Sequence, residues 1–507
     1  MLFRSPPTPV RDWSEIYRPL DERVLEGFGG VSEYGITVRW DKNFLTLLHL
    51  TLARRRGLRM YGGVRFGGTL PIEDAWAYGF DHVAIAAGAG RPTIIDMKNN
   101  LIRGIRKASD FLMALQLTGA FKREALPNLQ ARLPAIVIGG GLTAIDTATE
   151  LMAYYPLQVE KVLSQYESLS AEVGESRLRG MYDAEELELL DEYLVHGRAV
   201  RAERTRAAAA GEAPNFIALV RAWGGVTIAY RKRMIDSPAY RLNHEEVIKA
   251  LEEGIVFAEN LNPVEAVPDA RGALQAMIFR REGQEGQDGM VTLPARTCLV
   301  AAGTTPNITY ENECRGTFQL DARKKFFQAH AASANGDGGF HLTPDPNGFF
   351  TSYNAGGRFV SYYGDNHPRY AGNVVKAMAS AKDGFREVMK LFARDLAALD
   401  PDRQRDRDAA WSRLVQRLDG ELVARVEEVV RLTPTIVEVI VKAPAAARHF
   451  HPGQFYRLQN FESVTHRVGT TPLLMEGIAL TGAWVDKERG LLSLIALELG
   501  VSSRLCA

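Results

Sequence analysis

Gly139, Gly141 and Ala144 occupy the places of a G-x-G-x-x-G/A pattern within Gly139-Gly140-Gly141-Leu142-Thr143-Ala144. The apolar run Ala135 to Ile138 comes just before it, and Ala144, Ile145, Ala148 and Leu151 recur at helical spacing just after it. That order is a buried parallel strand, a Gly-rich turn and a helix. Gly139 permits the tight turn, Gly141 lets backbone N–H groups approach a pyrophosphate, and Ala144 lets the helix pack close to the strand. The six residues from Gly139 to Ala144 are therefore candidates for holding a dinucleotide. A Gly-rich turn without ligand shares this pattern, but the flanking strand and helix favour the nucleotide.

A second strand, Gly225 to Tyr230, runs directly into Arg231-Lys232-Arg233. In a Rossmann unit an acidic residue at this strand end holds the ribose 2′-OH of NAD, whereas basic residues suit the 2′-phosphate of NADP. Arg231 and Lys232 thus point to NADP(H), with a solvated cationic strand end as the alternative. Two further runs, Phe80 to Gly88 and Arg296 to Gly303, read as buried strands ending in Ala-Ala-Gly. Residues this small leave room for a ligand at the crevice of an α/β sheet, and two such strands suggest two crossovers between nucleotide-binding domains. Gly29-Gly30 suggests either close backbone approach or a simple turn. Asp365 follows the strand-like run from Arg358, where it can bond a ribose or ribityl hydroxyl or serve as a turn residue.

The rest of the chain must position these groups. Its 507 residues suggest about three domains. With 61 Lys and Arg against 61 Asp and Glu, there is no electrostatic reason to expect nucleic acid or an anionic membrane. No apolar run is long enough for a bilayer span, and no signal peptide is visible, so the cytoplasm is the expected location. The three cysteines, Cys298, Cys314 and Cys506, form no C-x-x-C pair, which argues against a zinc site or iron–sulfur cluster held wholly by this chain. Helices are expected after Phe44, with Gly57 at its end, around Ala108 to Leu117, and from Asn243 to Gly254. Leu58 to Val64 reads as a short strand. Residues 154–223 read as a helical insertion, with Asp183 and Glu186 forming a capping box, a Leu187, Leu190, Leu194 stripe, and a flexible connection from Ala207 to Gly211. Asp400 to Asp408 reads as a polar linker, after which short β runs continue to Leu497.

In this order the pieces resemble the glutamate synthase small subunit family of FAD-dependent NADPH oxidoreductases. The residues that carry the resemblance begin with Gly29-Gly30, Tyr34-Gly35-Ile36 and Ala86-Ala87-Gly88. Ile138 to Asp146 follows, then Tyr230-Arg231-Lys232-Arg233 with Ser237-Pro238-Ala239 and Glu245-Glu246. Ala302-Gly303 with Pro306-Asn307, and Gly364-Asp365 with the Asn373 helix, complete the set. Pro452-Gly453-Gln454-Phe455 resembles the flavin barrel of ferredoxin-NADP reductases. The family's first G-x-G-x-x-G is missing, as are its upstream iron–sulfur region, the barrel's Arg and Ser for flavin phosphate, and the barrel's NAD-binding half. A chain cut from a longer fusion protein is the expected explanation.

The resemblance implies an α/β protein of two Rossmann-like dinucleotide-binding domains, the NADPH domain inserted in the FAD domain, plus a partial C-terminal antiparallel β-barrel. The expected boundaries are residues 1–130 and 304–396 for the FAD domain, 131–303 for the NADPH domain, 397–420 for the linker and 421–507 for the barrel. It further implies that Gly29, Gly30, Gly88, Gly364 and Asp365 lie along FAD, with Gly303 and Asn373 in the same set of cofactor contacts. Gly139 to Ala144 would hold the NADPH pyrophosphate, and Arg231 and Lys232 its 2′-phosphate. No side chain is assigned as acid or base, because hydride transfer from nicotinamide to flavin requires none. Electrons would leave toward an iron–sulfur domain or subunit. An NADP(H)-binding assembly or regulatory module without turnover is the alternative, and a flavoprotein monooxygenase a third.

Overall fold

Short runs rich in Ala, Val and Ile, apolar on both faces, seed two sheets. The computed structural model describes residues 9–16, 45–283, 289–336, 338–460 and 465–507. Helices α1 (Leu45–Ala53) and α2 (Ile72–Tyr78) precede β1 (Val83–Ile85), and the chain then leaves along β2 (Arg91–Pro92). It builds β3 (Ile105–Lys107), α3 (Ala108–Thr118), β4 (Ala135–Ile138), α4 (Leu142–Val173), α5 (Ala184–Ala210), β5 (Val226–Ala229), α6 (Pro238–Glu252) and β6 (Val256–Ala258). A meander follows, β7 (Leu261–Pro268), β8 (Leu274–Arg281) and β9 (Met290–Pro294), and β10 (Thr297–Val300) returns to the sheet begun by β3. The chain comes back along β11 (Thr304–Thr305) to β12 (His330–Ala334), β13 (Phe340–Pro344), β14 (Phe350–Ala355) and β15 (Arg358–Tyr362), then enters α7 (Val374–Leu391).

The inner sheet has the order β3-β10-β4-β5-β6, parallel throughout. The outer one runs β1-β15-β14-β12-β13, with β1 and β15 parallel and the other pairs antiparallel. One Rossmann-like unit is therefore inserted in another. The two crossovers lie side by side, because β2 and β11 pair with each other.

Strand β4 is buried along its whole length because both faces are covered. Ala135 and Val137 pack with Phe111, Leu115 and Leu151 of the helices; Ile136 and Ile138 pack with Met277 and Phe279 of the meander. Cys298 belongs to the meander side, where burial pushes its thiol up to about 12, the state of an inert core cysteine.

The insertion begins without a break: α4 continues through Pro156 to Val173. The Asp183 and Glu186 capping box is present, and Leu190 and Leu194 pack with Leu163, Tyr166 and Leu178. The expected flexible connection at Ala207 is instead the last turn of α5, with Ala207 buried and Gly211 closing the helix in the left-handed region. Tyr193 donates to the Ala131 carbonyl at 2.7 Å, and Glu192 joins Arg132 (2.9 Å) and Arg296 (2.6 Å), tying α5 to the N-terminal ends of β4 and β10. Lys161 is buried beneath the loop before β4. It donates to the carbonyls of Ala120 (2.9 Å) and Pro127 (2.6 Å), while burial lowers its pKa to about 7.

Other expectations are corrected. No strand forms at Leu58 to Val64: Arg59 and Tyr61 are drawn to Asp419 at 2.9 and 2.8 Å, and this segment finds no neighbouring strand. Helix α1 ends at Ala53, before Gly57, and α6 starts at Pro238, where Ser237 accepts from the Tyr240 N–H. The expected polar linker is largely helical, as α8 (Gln404–Leu422). Beyond it lie β16 (Arg425–Thr433), β17 (Ile436–Lys442), β18 (Phe455–Leu458), β19 (Ile478–Asp486) and β20 (Leu491–Leu497), an antiparallel sheet of order β16-β17-β20-β19-β18. Residues Gly29 and Gly30 lie outside the described residues, as do Tyr34, Gly35, Ile36 and Phe44.

Gly197 marks the closest approach of α5 to α4, since a Cβ there would stand 2.5 Å from the Val159 carbonyl oxygen. Gly197→Val should separate the two helices and cost about 1–3 kcal/mol. Chemical denaturation would show this as a lower midpoint; an unchanged midpoint would contradict the packing described.

Candidate functional site

The site forms where β4 ends. Gly139 has φ +154°, and a Cβ on it would lie 2.3 Å from the Ala301 carbonyl oxygen at the end of β10. No side chain fits there. Its N–H donates to the Ala229 carbonyl of β5 at 3.1 Å, so the turn is held from both neighbouring strands. Gly140 lies against the Tyr230 ring and gives its carbonyl to the Ala239 N–H at 3.0 Å. Gly141 is the N-cap of α4, extended and with no side-chain cap, and nothing stands within 4 Å of its Cβ direction.

The N–H groups of Gly141, Leu142 and Thr143 have no hydrogen-bond partner among the described residues. They form the unsatisfied positive end of a 32-residue helix. Ala144 is buried against the core and lets α4 approach β4. An anion with several acceptor oxygens fits this arrangement.

Beside it, Arg231 and Lys232 are exposed at the end of β5, and neither side chain is in an ion pair among the described residues. Arg233 differs: it is held by Asp236 at 2.8 Å. The backbone of this loop is anchored, since Met234 N–H donates to Glu259 at 2.7 Å and Asn260 N–H to the Lys232 carbonyl at 3.2 Å. Two uncommitted cations on a fixed loop suit a phosphate. Both cations are evident in the sequence, whereas Tyr230 and Ala239 act through contacts with Gly140 that no local pattern marks.

The outer unit brings a second group together. Gly88 (φ +66°) follows β1, Gly303 (φ +97°) follows β10, and Gly364 (φ +65°) follows β15. The Asn307 N–H donates to the Gly88 carbonyl at 2.9 Å, and the Asn366 side-chain N–H to the Asn307 carbonyl at 2.7 Å. Asn366 thereby joins the first two of these strand ends to the third. It is fully buried, and its Oδ1 has no partner among the described residues. Asp365 accepts from the Gly372 N–H at 2.8 Å, the turn role, and Asn373 caps α7 by accepting from the Lys376 N–H at 2.9 Å. Gly364 donates its N–H to Ser380 at 2.8 Å. Gly303 belongs to the crossover, accepting from the Thr93 N–H at 2.9 Å. No group of three His, Cys, Asp or Glu that could hold a metal is found among the described residues. No helix there is long and apolar enough to cross a membrane.

No family model matches the chain. A curated relative, the uncharacterized protein RP006 of Rickettsia prowazekii (strain Madrid E), is 33% identical over 518 residues, covering 98% of this chain and 62% of its own length. The chain thus spans less than two thirds of that relative. Among solved structures, the His57Gln mutant of FprA from Mycobacterium tuberculosis is 16% identical, covering 76% of this chain and 81% of its own, with a TM-score of 0.43. FprA from the same organism in complex with NADPH is 15% identical with the same coverage of 76% and 81% and a TM-score of 0.39. T. acidophilum thioredoxin reductase is 13% identical, covering 62% and 66%, at a TM-score of 0.31. Likenesses this distant assign no activity; the strand order itself defines the two units.

Replacing Arg231 and Lys232 together by Ala should weaken NADP+ binding by about 10-fold or more and leave NAD+ binding within about two-fold, on the strength of charge-assisted bonds to a phosphate. Titration calorimetry with both nucleotides measures this, and equal losses would contradict the assignment.

Proposed function

We propose that the chain is the nucleotide-binding part of an FAD-dependent NADPH oxidoreductase. The observation that carries this reading is one turn: three N–H groups at the start of α4 and, at the end of the adjacent strand, two cations, all without partners among the described residues. Gly139 to Ala144 hold the pyrophosphate of NADPH, and Arg231 and Lys232 receive its 2′-phosphate.

The flavin reading rests on the outer unit. Its described residues fit such a group: Gly88 and Gly303 have nothing within 4 Å of their Cβ directions, and Asn366 leaves a buried oxygen without a donor beside them. Gly88, Gly364 and Asp365 would hold FAD, with Gly29 and Gly30. When bound, FAD supplies a hydride acceptor that can release electrons singly to an iron–sulfur domain or subunit. The paired crossovers β2 and β11 fix the two units side by side, and the bonds from Asn366 to Asn307 and from Asn307 to Gly88 orient the junction.

A second reading, a module that binds NADP(H) without turnover, is favoured by two described side chains: Asp365 serves a turn by accepting from the Gly372 N–H, and Asn373 caps α7, so both are engaged in local structure rather than left for a flavin. An absorbance spectrum of the purified chain, before and after anaerobic NADPH, separates the two. The oxidoreductase reading expects a flavin spectrum that bleaches. A colourless chain that gains no flavin from added FAD but binds NADPH would favour the second.

A further inference from the structure

The Gly140–Gly141 peptide is fixed from outside the turn that contains it. A trans peptide places its C=O and N–H on opposite sides. The Gly140 carbonyl is taken by the Ala239 N–H at 3.0 Å, so the Gly141 N–H points away from α6. Ala239 is fully buried in the first turn of that helix, where its N–H has no partner within the helix. The other face of Gly140 is closed by Tyr230, whose ring atom Cε2 would stand 2.4 Å from a Cβ. Tyr230 is itself anchored: its N–H donates to the Ala258 carbonyl, its carbonyl accepts from the Leu261 N–H, both at 2.9 Å, and its ring meets Phe257 edge-on. The segment 230–239 therefore grips Gly140 at both of its ends and displays Arg231 and Lys232 between them.

We propose that Tyr230 and the Ala239 amide are positioning groups: they hold the Gly140–Gly141 peptide so that the Gly141 N–H faces the pyrophosphate, and they couple that orientation to capture of the 2′-phosphate on the same loop. Selectivity for a 2′-phosphorylated dinucleotide is then expressed in the phosphate turn as well as at the two cations. This rests on the nucleotide reading above.

Ala239→Pro removes the one N–H at the second position of the helix, where no bond within the helix is lost, and circular dichroism checks that the helix is kept. Titration calorimetry would use NADP+ and adenosine 2′-monophosphate, which has no pyrophosphate. The variant should lose about 10-fold in NADP+ affinity, the size of one hydrogen bond, and keep its affinity for adenosine 2′-monophosphate within about two-fold. Equal loss for both ligands, or loss for neither, would overturn the proposal. A second variant is independent of that substitution: Tyr230→Ala, which opens the other face of Gly140, should lower NADP+ affinity and keep that for adenosine 2′-monophosphate within about two-fold. Unchanged NADP+ affinity in the folded Tyr230→Ala variant would also overturn it. A wild-type chain that binds neither ligand would instead remove the nucleotide reading itself.

Discussion

The ends of β4 and β10 meet at Gly139 with no room for a side chain, and the rest of the site depends on that contact. The Ala301 carbonyl oxygen occupies the place of a Cβ on Gly139, so the chain turns sharply at the C-terminal edge of the sheet. That turn aims the start of α4 at the crevice and leaves its first N–H groups open among the described residues. Everything else in the inner unit holds this approach in place. Small residues let β10 come near, the β4 side chains alternate between helix and meander cores, and the helical insertion braces the opposite end of the sheet through Tyr193 and Glu192.

The inserted topology gives the second constraint. A unit threaded into another must leave and re-enter by neighbouring paths, and the pairing of β2 with β11 meets that requirement. Both paths begin at Ala-Ala-Gly, where the absence of large side chains lets the crossovers pass close to the strand ends. Asn366 then connects one crossover to the start of the helix-bearing segment after β15. The C-terminal part is fastened to the outer unit by polar contacts, among them Arg59 with Asp419, and His449 with Asp74 at 2.7 Å.

Much of the fold was legible because its strands are short and apolar on both faces and its helices carry explicit boundaries. The Ala135 to Ile138 strand and the Asp183 capping box stand where their residues indicate. What failed to read depended on partners distant in sequence. Leu58 to Val64 has a strand-like composition, yet its side chains answer to Asp419. Ala207 to Ala210 looks like a loop from its small residues, yet alanine is a good helix former and Ala207 packs inward. At the site, the glycine pattern and the basic strand end were visible. The contact of Tyr230 with Gly140 and the bond from Asn366 to the Asn307 carbonyl were not, because both arise from distant segments brought together only by folding.

A crystal structure with NADP+ would show whether the turn from Gly139 to Thr143 binds the pyrophosphate of a 2′-phosphorylated dinucleotide. Phosphate oxygens should lie on the N–H groups of Gly141, Leu142 and Thr143, and the 2′-phosphate between Arg231 and Lys232. A nucleotide seated elsewhere, or a bare turn at saturating NADP+, would contradict that placement.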